Sequence, residues 1–543
     1  MGVEVRLMRW LVLVSLLISS LAALAQETPQ KFHFEIKPAN ITGTDEYTIS
    51  KTADGFHVSG NGSMSSPGRE VQMTHGEDLG ASWQLKEYRF AAKVGNEAQN
   101  VNALRRGDTV TMTLDAHGQL VPKDFPWKPN TVVLDNFIAA HYQVLLNQVA
   151  ALKPTTSTEW NLLVPQRMGS IIAKLDAKTD SGSGTLDGKP ITTTIYSLEL
   201  GGSLVEITAD SGNQLMRIQV PLQQFDSLRE GFVPAPAAPS PYPAACVETP
   251  ADFQSGNLKV PATLCTPKDQ KPETKFPIVV LVHGSGPHDR DETIGPNKTF
   301  KDLAEGLAAA GIGSLRYDKR TFFAPKSIGP EATVEEETIA DAVAAVNAAG
   351  KAPGADPSRV YLLGHSLGGM LAPYIAERAP ETHGLILMGA GAVPLDETIE
   401  RQLAAQMKAT GSTQQQIDAR LTQIKQQFAD IRSGKLTGTA MVMGAPAHYW
   451  ADLLKRDIPG ELKKLNLPAL VLQGAKDIQI NQQDYDLLKT ALTGKKAEFH
   501  EFANLNHLME PVEGESTGAE YGKAGHVDPE VVKTIVAWIE KTK

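Results

Sequence analysis

From residue 246 onward short apolar runs alternate with helical patterns, and this alternation constrains the fold of the chain more than any other feature. Residues 276–283 form a nearly unbroken apolar run, as expected of a strand buried on both faces of a sheet. Residues 313–317, 360–363, 384–388, 469–473 and 497–502 read as further strands. Residues 303–310, 334–349, 367–378 and 529–539 read as helices between and after them. Such alternation predicts a doubly wound, mostly parallel α/β sheet. One stretch interrupts it. Residues from about 395 to 461 are helical, rich in Gln, Lys and Asp with Ala and Met, and fall between two strands. An insertion there stands over the carboxyl ends of the strands, where ligands bind, so it is expected to be a helical cap.

At 543 residues the chain is too long for a single core. Residues 26–232 look β-rich. Polar and apolar residues alternate at 32–36, 109–114 and 203–207, with Gly, Asn and Asp between the runs as antiparallel turns require. In 132–149, Leu134, Phe137, Ile138, Tyr142, Leu145 and Leu146 recur at helical spacing. The expectation is an N-terminal antiparallel β-rich domain, a curved sheet with one helix packed on it. It carries no catalytic constellation, so its expected role is to bind a ligand or to shield the mouth of a site. Residues 233–245 are a Pro/Ala run, which favours extended, semi-rigid chain and marks the boundary with a second domain at 246–543.

Arg6 and Arg9 precede an apolar run at 11–21, and Ala23-Leu24-Ala25 places small residues where signal peptidase reads them. Residues 1–25 are therefore read as a signal peptide. A secreted or periplasmic protein follows, with no stable membrane insertion after cleavage. The other reading is an uncleaved anchor, but the apolar run is short of the ~20 residues a span needs. Export permits a disulfide between the two cysteines, Cys246 and Cys265. If Ser255-Gly256 is a two-residue hairpin loop, these positions face each other across the ladder; two free buried thiols are the alternative. A formal net charge of -10 and the lack of any long basic run argue against nucleic-acid binding.

The pattern Gly-x-Ser-x-Gly occurs at 364–368 and again at 514–518. The first copy follows an apolar strand and opens a helix, the setting that holds a nucleophilic serine on a sharp, strained turn. The second follows no strand and lies in a polar loop. Ser516 is set aside, and Ser366 is the candidate nucleophile. A serine hydroxyl needs a base. Where serine sits on such a turn, its partners follow in the order acid, then histidine. Asp477 comes just past the strand at 469–473, and His507 just past the strand at 497–502. Each has a plainer reading: Asp477 as the N-cap of a helix near Gln482, His507 as a solvated loop histidine. His500 and His526 are the other candidate bases. The oxyanion donors are the backbone N–H of Leu367 and that of Ser285 or Gly286, in the glycine-rich loop after 276–283. His283 and His288 have no Cys or carboxylate cluster at zinc-ligand spacing, and no cofactor is expected. In the cap, Met441, Met443, Tyr449 and Trp450 either line an acyl pocket or form the cap's own core.

The run from His283 to Glu292 (His-Gly-Ser-Gly-Pro-His-Asp-Arg-Asp-Glu) and Arg316-Tyr317-Asp318-Lys319-Arg320, with Gly364-His365-Ser366-Leu367-Gly368-Gly369 and Asn506-His507-Leu508, resembles bacterial α/β-hydrolase carboxylesterases of the EstD-like type. The resemblance covers about 246–543, with ungapped motifs in the right order. It implies an α/β-hydrolase fold, a Ser366–Asp477–His507 triad and a preference for short acyl chains. Asp289, Arg290 and Asp291 are expected to form a structural charge network around the oxyanion loop. The expected partner is a small-molecule ester, acetyl esters included, cleaved through an acyl-enzyme. A serine peptidase of the prolyl-oligopeptidase type uses a related triad. Such enzymes usually carry a propeller of several blades, for which residues 26–232 are too few. A third reading, a binding protein that keeps a vestigial hydrolase fold, fits poorly with an intact triad pattern.

Overall fold

The computed structural model describes residues 28–542 apart from 37–39, 67, 95–96, 117, 136, 153–157, 201–202, 236–239, 272, 330 and 410–411. The export signal expected in residues 1–25 and the middle of the Pro/Ala run lie outside the described residues. The chain divides into two compact units. One comprises residues up to 197 with 206–219 and 225–235; the other comprises 198–205, 220–224 and 236–543.

The second unit is built on eight strands: β1 (Cys246–Pro250), β2 (Ala262–Pro267), β3 (Phe276–Val282), β4 (Gly313–Tyr317), β5 (Ala355–His365), β6 (Thr382–Met388), β7 (Ala469–Gly474) and β8 (Ala497–Phe502). Across the sheet they run β1-β2-β4-β3-β5-β6-β7-β8. β1 is antiparallel to β2, and β2 to β4; every neighbouring pair from β4 to β8 is parallel. The helices of seven residues or more are α1 (Thr299–Ala309), α2 (Ala340–Ala349), α3 (Leu367–Arg378), α4 (Leu395–Ala409), α5 (Gln414–Arg432), α6 (Ala447–Leu453), α7 (Ile458–Lys464), α8 (Gln482–Ala491) and α9 (Pro529–Lys541).

The sequence of β3 explains its central place. All seven of its residues are buried, and alternate ones feed opposite cores. Ile278, Val280 and Val282 join Val346 of α2, Leu371 of α3 and Tyr485 of α8. Val279 and Leu281 join Leu303 of α1 and Ile535 and Trp538 of α9. A strand apolar on both faces is stable only when helices cover both, and here they do. The fold is the doubly wound α/β-hydrolase arrangement. The chain leaves β3 toward β4 and returns to β5 on the other side. That reversal opens the crevice at the carboxyl ends of β3 and β5. β5 starts earlier than hydropathy suggests, because Asp356, Ser358 and Arg359 make its first half polar.

Helices α4 to α7 and a short hairpin, Met441–Val442 with Ala445–Pro446, form the insertion between β6 and β7. α5 opens with a capping box: Thr413 accepts from the Gln416 N–H, and the Gln416 side chain returns to the Thr413 backbone. Trp450 is buried, donates Nε1–H to the Val442 carbonyl at 2.7 Å and meets Phe428 and Tyr449 edge-on. It belongs to the cap's own core, whereas Met441 and Met443 are exposed.

The hairpin before β2 pairs Ser255 with Leu258, so its loop is Gly256-Asn257 and not Ser255-Gly256. The one-residue shift in the turn moves the ladder by two. Cys246 faces Pro267, and Cys265 faces Glu248. The cysteines are diagonal neighbours with Cα atoms 5.3 Å apart, and their sulfurs are bonded.

Among the described residues the first unit carries a 16-stranded sheet. Gln30–Ile36 pairs antiparallel with Ile41–Thr52 on one side and Phe225–Arg229 on the other. Burial alternates along Gln30–Ile36 and Arg69–Gly80, with Phe32, Phe34, Val71 and Met73 inward. The helix is Ala139–Leu152 and is buried nearly all round. It begins later than the periodicity from 132 suggests. Thr131–Val133, β-branched throughout, is instead a strand parallel to Thr158–Val164. Phe137 lies at φ 66°, outside helical space, and Asp45 Oδ2 accepts the Ala139 N–H at 2.8 Å. Phe232–Pro234 pairs with Gly184–Leu186, so the Pro/Ala run starts inside a strand. No helix among the described residues is long and apolar enough to cross a membrane.

Candidate active site

β5 ends at His365 and α3 begins at Leu367, so Ser366 alone makes the turn between them. Its backbone sits at φ 53°, ψ −118°, a strained conformation for any residue with a Cβ. The turn is pinned from both sides. Ser366 N–H donates to the Met388 carbonyl at 3.0 Å, and Met370 N–H donates to the Ser366 carbonyl at 3.0 Å. The flanking glycines are a steric requirement. A Cβ on Gly364 would lie 2.3 Å from Gly368 O, and one on Gly368 would lie 2.3 Å from Val282 O. His365 and Leu367 are buried while Ser366 is half-exposed, so the hydroxyl is what the turn presents.

Asp477 follows β7 and His507 follows β8. His507 Nδ1 lies 2.6 Å from Asp477 Oδ2, with both side chains buried. The other carboxylate oxygen, Oδ1, accepts the N–H groups of Gln479 and Ile480 at 2.8 and 2.9 Å. Asp477 does not cap the following helix; Asn481 does. Gly389, directly after β6, completes the junction. A Cβ there would lie 3.2 Å from His507 Nδ1 and 3.6 Å from Asp477 Oδ2. The loops after β5, β6, β7 and β8 thus converge on one point. Ser366 Oγ and His507 Nε2 make no hydrogen bond to each other in the structure. His500 lies beside Glu498, His526 pairs with Asp302, and Ser516 donates to Glu520. Each of these is occupied away from Ser366.

The loop after β3 lies against the serine: a Cβ on Gly284 would be 3.2 Å from Ser366 Cβ. Two buried charges clamp Gly284. Its N–H donates to Glu292 Oε1 at 2.7 Å, and its carbonyl accepts from Lys319 Nζ at 2.9 Å. Because a trans peptide points its C=O and N–H in opposite directions, this aims the Ser285 N–H away from Lys319. The Ser285, Gly286 and Leu367 N–H groups have no hydrogen-bond partner among the described residues. Lys319 is held in turn by Glu337 at 2.7 Å, and Glu337 accepts from the Tyr449 hydroxyl of the cap. The charge network around this loop is extensive. Arg290 forks onto Asp318, Asp291 pairs with Arg316 and Lys298, and Asp289 accepts the Asp291 and Thr293 N–H groups.

The reading of residue types left out His365 and Glu292. His365 is buried, with Nδ1 2.9 Å from Glu292 Oε2 and Nε2 3.0 Å from the His507 carbonyl oxygen. Both residues stand in the motifs, one beside Ser366 and the other closing the run from His283, but their pairing spans 73 positions.

On the turn after His507, Glu510 is buried. Burial, reinforced by the Asp302 and Glu520 carboxylates, pushes its carboxyl up to about 8 from an ordinary 4.5. A folded-state value above the unfolded one means folding takes up a proton. Its contribution to stability is therefore present below about 4.5 and lost as pH rises through about 8. Glu510→Gln is expected to raise stability at about pH 9 by on the order of a few kcal/mol, and to change it little at about pH 5. Thermal unfolding at the two pH values checks this.

Away from the site, Cys246 Sγ, Glu248 and Glu305 bring ligand-type atoms within 4.8 Å of one another. Each is already engaged: the sulfur in the disulfide, Glu248 with Arg316 and Lys301, Glu305 with the Ala245 and Cys246 N–H groups.

The family model described as Hydrolase_4, serine aminopeptidase, S33, matches residues 274–512. The chain is 41% identical over 297 residues to Esterase EstD of Thermotoga maritima, covering 54% of this chain and 69% of that protein. The chain belongs to the EstD-like α/β-hydrolase esterases. The family-model match takes in Ser366, Asp477 and His507, and the chain is a carboxylic ester hydrolase by class. Among solved structures, Est1E from Butyrivibrio proteoclasticus is similar at 15% identity, over 55% of this chain and 98% of that one, with a TM-score of 0.35. An esterase from Pyrobaculum calidifontis is similar at 20% identity, over 55% and 87%, with a TM-score of 0.34. The EstD-like membership rests on neither.

Proposed function

We propose that this EstD-like esterase cleaves short-chain carboxylic esters, acetyl esters among them, through an acyl-enzyme on Ser366. The observation that supports it most is the 2.6 Å contact of His507 Nδ1 with a fully engaged Asp477, on loops that converge with the Ser366 turn. Asp477 keeps the Nδ1 proton in place, so Nε2 is the free base. Ser366 Oγ attacks the ester carbonyl while its proton passes to Nε2. Charge collects on the carbonyl oxygen, where the N–H groups of Leu367 and Ser285 receive it. We assign the second donor to Ser285 because Lys319 fixes that peptide plane. Collapse expels the alcohol, which takes the proton from His507. Water then attacks the acyl group along the same path and restores Ser366. The export signal read in residues 1–25 makes a secreted or periplasmic enzyme part of the proposal.

The test is turnover of p-nitrophenyl esters of graded acyl length beside aminoacyl p-nitroanilides. Acetate and butyrate are expected to give the highest kcat/KM, falling by about tenfold or more for octanoate. Anilide cleavage without ester cleavage would favour a peptidase and overturn the proposal.

A further inference from the structure

The two ring nitrogens of His365 both face acceptors. Nδ1 faces Glu292 Oε2 at 2.9 Å, and Nε2 faces the His507 carbonyl at 3.0 Å. A neutral imidazole has one N–H and can serve only one of them. The carbonyl cannot donate, and the other Glu292 oxygen already accepts from Gly284. The pair must therefore hold one proton beyond those of a neutral ring and a bare carboxylate, and the more basic imidazole takes it, leaving an imidazolium facing a carboxylate.

The surrounding charges agree. The titratable groups around the pair are Asp477, His507, His288, His283, Tyr317 and Lys319. Burial pushes His283 down to about 3 and lowers His288, so both are neutral at neutral pH. Lys319 is spent on Glu337 and Gly284. Burial disfavours the charged form of His365, but the Glu292 carboxylate outweighs it and raises the proton affinity of the ring above its ordinary value. Burial likewise opposes ionisation of Glu292, and His365 outweighs it, bringing the carboxyl down to about 2. The pair's contribution is thus lost in acid as pH falls through about 2, and in base as pH rises through the raised His365 value.

We propose that the His365 imidazolium, held by Glu292, is a positioning residue that ties the His507 loop to the oxyanion loop, and that loss of its proton sets an alkaline limit on activity. The inference rests on the Ser366–Asp477–His507 reading. When the ring deprotonates, one of its two hydrogen bonds must go. Either the His507 backbone loses its anchor, or Glu292 loses the partner that holds it against the Gly284 N–H.

Glu292→Gln separates positioning from charge. Its amide oxygen still accepts from Gly284, its NH2 donates to His365 Nδ1, and a neutral ring keeps Nε2–H for the His507 carbonyl. Wild-type kcat/KM on p-nitrophenyl acetate is expected to fall at least about tenfold on the alkaline side of its optimum. E292Q should keep activity within about tenfold at neutral pH and lose that alkaline fall. The acid limb should be the same in both. Nitrogen-15 NMR of the full-length protein reads the ring directly and does not depend on turnover. At about pH 7 His365 should carry two protons in the wild type and one in E292Q. An alkaline limb unchanged in E292Q, or a singly protonated His365 in the wild type at that pH, overturns the inference. A doubly protonated wild-type ring in a protein without ester turnover supports the ion pair and defeats the esterase reading instead.

Discussion

Ser366→Ala lowers kcat for p-nitrophenyl acetate by roughly 10⁴- to 10⁶-fold and leaves the unfolding temperature nearly unchanged. The size follows from what the hydroxyl alone supplies. Without it no acyl-enzyme forms, and only oxyanion donors and binding remain to assist direct attack by water, a residual of roughly 10³–10⁴ over the uncatalysed reaction. Stability should hold because the strain of the turn belongs to its backbone, at φ 53°, and serine and alanine bear it alike. Among the described residues the Ser366 side chain has no hydrogen bond whose loss would cost anything. Labelling with a fluorophosphonate gives a second readout: the adduct should map to the peptide bearing Ser366 and vanish in the variant. A Ser366→Ala protein within tenfold of wild type would remove the nucleophile, and Ser516, already bonded to Glu520, offers no replacement.

The Ser366 turn is legible in the sequence because three independent signals coincide there: an apolar strand, glycines where no Cβ fits, and a helix that follows at once. Asp477 and His507 are legible for a related reason, since each stands a few residues past a strand whose side chains are apolar enough to announce it. Legibility fails where pairing decides. Glu292 and His365 are separated by 73 positions and meet only because β3 and β5 are neighbours in the sheet, and strand order leaves no local trace. The hairpin turn falls one residue later than expected because Ser255-Gly256 and Gly256-Asn257 are equally good turn dipeptides. Gly256 at φ 56° and pairing of Ser255 with Leu258 settle it in three dimensions. The first-unit helix shows periodic apolar residues from 134, but Leu134, Asp135 and Ile138 are buried in a non-helical lead-in. Burial of successive residues in a loop imitates helical spacing.

Asp477→Asn is expected to lower kcat by roughly 10⁴-fold with KM little changed. The reason lies in the direction of two hydrogen bonds. Asp477 Oδ1 accepts from the Gln479 and Ile480 N–H groups, and only the amide oxygen of an asparagine can continue to do so. The amide nitrogen is then forced toward His507 Nδ1, where it donates. An imidazole that accepts at Nδ1 carries its own proton on Nε2. That is the nitrogen which must be bare to receive the Ser366 proton. The side chain keeps its place and volume, so substrate binding survives while proton transfer does not. Steady-state kinetics across ester concentrations separates the two: a raised KM at unchanged kcat would show that Asp477 only shapes the pocket. The double variant with Ser366→Ala sharpens the test. If the three residues act as one unit, it should be no slower than Ser366→Ala alone. Losses that multiply would mean that Asp477 acts through something other than the imidazole.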